Sequence, residues 1–228
     1  MKSFQVIYFL AFLYCPFVSA IILNPTVLSL NIDKNGFSQV VITNNSTSRL
    51  PLEVSIHKLS FEEDGSYQSM AETTTALMVF PPAAIVQSGQ NQVFRLQWNK
   101  DVALPTSQSF FVRFTHIQLA PQIAVKHGTL GAGVNIQINY NALLHVYSET
   151  QQAHVVLKVD GDGKAKLINS GDRFAYTNRL SFDDIDPDLQ SRFMAMVGEQ
   201  FIAPYTTLDF DAGRPLPAGD YHGREKGL

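Results

Sequence analysis

From Ile21 to Tyr147 the chain is a succession of short runs in which apolar and polar residues alternate, separated by turn residues, with almost no stretch of helical period. A period of two sends successive side chains to opposite faces of a strand, so each run buries one face and wets the other. Seven runs stand out: 27–32, 38–43, 51–61, 77–80, 92–98, 109–119 and 134–146. Seven short strands with turn signals between them are the pattern of an immunoglobulin-like sandwich. Turn chemistry supports the spacing, with Asn35 and Gly36, Asp64 and Gly65, and Ser88 and Gly89 between runs. Pro81 and Pro82 end the fourth run, because two prolines remove two ladder donors; an edge or crossover is expected there, with one cis bond as an option.

A second, less regular set follows at 153–159, 164–169, 175–182, 200–203 and 206–210. The fold class expected is therefore all-β, with two β-sandwich domains: residues 21–147, and a smaller unit over 148–228. Asp160, Gly161, Asp162 and Gly163 read as a hairpin turn, and the acidic stretch 183–188 as a solvated loop.

Residues 1–20 read as a secretory signal peptide: Lys2, an apolar run over 4–17, then Val18, Ser19 and Ala20 as small cleavage-site residues. The single cysteine, Cys15, lies inside that segment, so the exported chain carries no disulfide and rests on core packing alone. Loss of Lys2 takes the formal net charge of −3 one unit lower. With scattered basic residues, this argues against nucleic acid, and no basic amphipathic helix points to a membrane surface.

No metal, cofactor or catalytic site is expected. The six histidines, His57, His116, His127, His145, His154 and His222, show no zinc-pair spacing and read as surface or strand residues. A calcium loop starting at Asp160 would place Lys164 and Gly171 where acidic ligands are required. Nucleophile elbow, phosphate loop and dinucleotide fingerprint are all missing.

The most informative segment is 131–146. Val134, Ile136, Ile138, Tyr140, Ala142, Leu144 and Val146 occupy every second position, and Asn135, Gln137, Asn139 and Asn141 form an uncharged polar row between them. A strand of that extent exceeds the ~5 to 6 residues usual in a sandwich, so part of it is expected to project beyond its own core. A projecting apolar strand invites pairing with another chain.

These features together resemble the periplasmic pilus chaperones of the chaperone/usher pathway, the PapD-like family. The resemblance is carried by Asn24, Pro25 and Thr26 at the end of the first strand, by Val79, Phe80, Pro81 and Pro82 with Gly89 and Arg95 following, and by the long alternating strand leading into a smaller second domain. It implies two immunoglobulin-like domains set as a boomerang, and binding rather than catalysis. The partners it implies are incompletely folded pilus or fimbrial subunits in the periplasm, and an outer-membrane usher that receives them. Val134, Ile136 and Ile138, with Tyr140 as a further member, would fill a subunit's open groove. Free protein would cap its own exposed strand by oligomerising, or leave it disordered.

The sequence departs from the family at one place. Where the best known members anchor a subunit's terminal carboxylate with an Arg and a Lys, the corresponding stretches here offer Val27 and Leu143. The substitute candidate is Arg113, a charge among Phe111, Val112 and Phe114 that suits a bidentate pair with a carboxylate. Arg95, expected in a buried ion pair, and His116 are the weaker candidates. A divergent, archaic branch of the family would account for this departure. Two other classes stay open: a structural or adhesive immunoglobulin-like module, and a secreted hydrolase built on converging carboxylates.

Overall fold

The computed structural model describes residues 20–71, 76–117, 137–183, 185–211 and 216–225. The first unit contains β1 (Ile21–Asn24), β2 (Val27–Asn31), β3 (Phe37–Asn44), β4 (Leu50–Phe61), β5 (Tyr67–Ala71), β6 (Leu77–Phe80), β7 (Ala83–Val86), β8 (Asn91–Trp98), β9 (Gln108–His116) and β10 (Asn139–Tyr147). They form two sheets, β1-β3-β8-β6 and β2-β10-β9-β4-β5, with β7 also paired to β4.

Alternation explains the packing. Val40, Ile42, Phe94, Leu96 and Trp98 from one sheet meet Leu28, Leu30, Phe110, Val112, Phe114, Leu144 and Val146 from the other in one buried cluster. Phe94 and Phe114 touch edge to face at 4.9 Å between centroids. Each such side chain contributes about 1.5–3 kcal/mol by leaving water. Both Asn24–Pro25 and Phe80–Pro81 peptides are cis. The first lies where the chain passes from β1 in one sheet to β2 in the other.

The second unit has its own core, built on β11 (Val155–Val159), β12 (Lys164–Asn169), β13 (Ala175–Tyr176), β14 (Leu180–Phe182), α1 (Pro187–Val197), β15 (Phe201–Ile202), β16 (Thr206–Asp211) and β17 (Gly219–Glu225). Its main sheet runs β14-β17-β11-β12-β16, and β13 pairs with β15. The single strand expected over 175–182 is broken by a 3-10 turn at Thr177–Arg179.

The acidic stretch expected as a solvated loop instead starts a helix. Asp186 accepts from the Asp188 N–H at 2.9 Å, Pro187 takes the first helical position, and Gly198 ends the helix at φ 68°. Phe193 is thereby buried against Phe182 and Phe210. The hairpin turn at 160–163 is as expected: Asp160 Oδ1 accepts from the backbone N–H groups of Asp162 and Lys164, and Gly163 has φ 83°.

A buried asparagine closes each core. Asn44 donates to the Val86 and Ser48 carbonyls, and Asn169 donates to those of Arg173 (2.8 Å) and Ala203 (3.1 Å) while accepting from the Gly171 and His154 N–H groups. Asn169→Leu leaves these backbone groups unpaired in the interior. It is expected to cost about 2–4 kcal/mol, read as a fall in the urea midpoint; a cost under about 1 kcal/mol would contradict that role.

Candidate functional site

The outward face of the β2-β10-β9-β4-β5 sheet is where the two units meet. Its register stacks the side chains in rows. Ser29, His145, Ser109 and Leu59 form one row; Val27, Leu143, Phe111 and His57 the next; Asn141, Arg113 and Ser55 the next; and Asn139, Thr115 and Glu53 the last.

The second unit covers the first of these rows. His145 is 1 % exposed, with Nδ1 2.8 Å from Ser109 Oγ and Nε2 2.7 Å from the Tyr176 hydroxyl. Its ring stacks on Phe201 at 4.6 Å and 14°, and Phe174 lies at 4.6 Å on centroids. Phe201 also meets Phe61 at 5.4 Å. Burial, and then the Arg179 charge, push the imidazole down to about 4. Backbone bonds tie the units as well, from Ser107 N–H to the Asp172 carbonyl (2.9 Å) and from Thr207 N–H to the Glu63 carbonyl (2.7 Å). On its own strand His145 occupies the polar face, and only the second unit buries it.

Above this junction the face is open. Val27 and Leu143, the two apolar residues standing where the resemblance implies a basic pair, are direct register partners, and Val27 is 49 % exposed. One step further along, Arg113 donates through Nε to Asn141 Oδ1 at 3.1 Å. It makes no ion pair among the described residues, so its terminal amino groups remain for an anion.

The other two anchor candidates do not join Arg113. Arg95 is exposed on the outward face of the other sheet, with its guanidinium 4.1 Å over the Phe37 ring; among the described residues it makes no ion pair, and its exposure does not fit the buried pair expected for it. Its position on β8 alternates with buried Phe94 and Leu96, which sends it to solvent. His116 is opposite Leu52, on the register that faces the core, whereas Arg113 and Thr115 take the outward register.

β10 has an unequal pair of edges. On one side β9 pairs with it from Asn139 to Val146, but on the other β2 begins only at Val27, opposite Leu143. Leu143 N–H donates to the Thr26 carbonyl at 2.8 Å. Among the described residues no strand covers that second edge from Asn139 to Ala142, which leaves an unpaired backbone beside Arg113.

Ile138, 42 % exposed, is the last described apolar residue before this edge, and its carbonyl accepts from His116 N–H at 3.0 Å. Tyr140, expected to reach into a partner's groove, is half-buried and packs against the protein's own core. Its register opposite Phe114 directs it there. Val134 and Ile136 lie outside the described residues.

No protein-family model matches the sequence, and no curated protein matches it. Solved structures do match. The class 5 fimbriae chaperone CfaA is 16 % identical, with a TM-score of 0.58 over 92 % of this chain and 94 % of that one. A chain of the chaperone–tip adhesin complex of CFA/I fimbriae biogenesis is 17 % identical, with a TM-score of 0.57 over 84 % of this chain and 85 % of that one. A chain of the CsuC–CsuE chaperone–tip adhesion subunit pre-assembly complex, from the archaic chaperone-usher Csu pili of Acinetobacter baumannii, is 14 % identical, with a TM-score of 0.53 over 84 % and 90 %. The chain has the all-β fold of these chaperones, with two immunoglobulin-like units.

Proposed function

We propose that this protein is a periplasmic chaperone that captures incompletely folded pilus or fimbrial subunits and hands them to an outer-membrane usher. The observation that carries the reading is the edge of β10 from Asn139 to Ala142, which no described strand covers, next to Arg113 on the face shared by the two units. A subunit strand pairing there satisfies its backbone groups on this edge, while the alternate residues Val134, Ile136 and Ile138 enter its open core. The fold is that of proteins whose structures were solved with fimbrial adhesin subunits, which supports the partner class. Tyr140 is left out of the donated set, because it is engaged in the chaperone's own core.

Arg113 receives the captured chain's terminal carboxylate in this account. Its Nε is already held by Asn141, which presents the two terminal amino groups in a fixed orientation. A hydrogen bond to a charged group contributes about 1.5–3 kcal/mol, so Arg113→Gln is expected to weaken subunit capture roughly 10- to 100-fold while leaving the fold intact. The dissociation rate of the purified complex is the measurement. A wild-type rate in Arg113→Gln would remove Arg113 from the anchor. A folded wild-type protein that captures no subunit would favour the structural or adhesive module instead.

A further inference from the structure

Arg113 has a neighbour that the sequence does not single out. The register sets Ser55 of β4 directly opposite Arg113 of β9, and His57 two residues along β4 on the same outward face. That is a diagonal pair about 7–8 Å apart, with the Cβ atoms somewhat closer, and long side chains reach across such a gap. His57 Nε2 lies 3.1 Å from Ser55 Oγ, so the ring is held toward the Arg113 row. The floor between them is Phe111, opposite His57, and Leu143 beyond it.

We propose that His57 is the second cationic member of the carboxylate site, so that Arg113 and His57 close on one chain-end carboxylate from two strands and capture takes up a proton. This rests on the anchor reading given above. In the free protein burial, and next the Arg113 charge, hold the His57 imidazole below its ordinary value. A bound carboxylate neutralises that repulsion and adds an attraction, so the imidazole gains a proton as the anion arrives. Binding then strengthens as the pH falls through the imidazole range.

The other groups facing His57 leave this coupling in place. Among the described residues its own strand offers Ser55 and, two rows up, Glu53; β5 sets Ala71 opposite it; and β9 offers Phe111 and Arg113. Glu53 is exposed and stands on the far side of the Arg113 row. Arg113 is therefore the nearest charge, and an anion placed between the two cations is the ligand this arrangement favours.

The test uses the full chain, with acetate as the carboxylate probe. The imidazole Cε1–H resonance of His57, assigned by its absence in His57→Gln, is followed against pH in acetate and in chloride at equal ionic strength. The expected result is a midpoint higher in acetate by about 0.5. In Arg113→Gln the chloride midpoint should rise, because the repelling charge is gone, and the acetate effect should vanish. An identical His57 midpoint in the two salts, or an acetate effect that survives Arg113→Gln, overturns the proposal. Subunit capture judges the chaperone reading independently. Capture without an acetate effect removes His57 from the site and leaves that reading standing, whereas an acetate effect without capture upholds the anion site and refutes the reading.

Discussion

Lowering the pH from 7 to 4 is expected to remove about 3 kcal/mol of folding stability through His145 alone. Its imidazole titrates at about 4 in the folded protein, against an ordinary value of 6.5. With the folded value depressed, the unfolded chain binds the proton first. The contribution is therefore complete above pH 6.5, falls as the pH drops, and is exhausted near pH 4, where the folded form also protonates. The cause is geometric. The ring is 1 % exposed, stacked on Phe201, and held at both nitrogens by neutral hydroxyls from the two units, with Arg179 as the neighbouring charge. Nothing in that cage compensates a positive imidazolium.

Urea unfolding at a series of pH values reads the effect, with His145→Gln as comparison. That variant loses stability at pH 7, because the stacking and one hydroxyl partner are disturbed, but its stability should change far less between pH 6.5 and 4.5. Parallel pH profiles for the two proteins would show that His145 is not held neutral by the junction.

The sequence made the inner architecture legible because burial on one face imposes alternation. Leu50–Phe61, Asn91–Trp98 and Gln108–His116 were placed within one or two residues of their starts for that reason. Two of the elements missed carry no such signal. All residues of Tyr67–Ala71 are exposed on a sheet edge, and Gly219–Glu225 is polar along its length, so neither shows an apolar period. The helix at Pro187–Val197 was signalled by Asp186 and Pro187, a capping pair concealed within an acidic run, and by Leu189, Phe193, Met194 and Val197 at helical spacing.

Site residues divide the same way. Arg113 stood out because it interrupts an apolar run on its own strand. His57 and His145 did not, because what distinguishes them comes from elsewhere: a cation on the adjacent strand in one case, and the rings of a second unit in the other. Arg95 shows the converse, an apolar setting along the chain that is a solvent face in space.

The second large effect concerns the strand that leads into β10. Ile138 is a partly exposed apolar side chain next to the uncovered edge, and in a complex it would leave water within the subunit's groove. Burying such a side chain contributes about 1.5–3 kcal/mol, and an aspartate in its place also carries a charge into an apolar groove. Together these predict a loss of capture of at least roughly 100-fold for Ile138→Asp, and the same for Ile136→Asp. Ile138→Asp should not unfold the protein, since Ile138 lies outside the buried core cluster.

Co-expression of the full chain with a candidate subunit encoded beside it, followed by affinity recovery of soluble complex, tests this most directly. Soluble subunit is expected with wild type, and subunit lost to aggregates with Ile138→Asp and Ile136→Asp, although both variants remain folded. Equal recovery of subunit by wild type and by both aspartate variants would contradict strand donation.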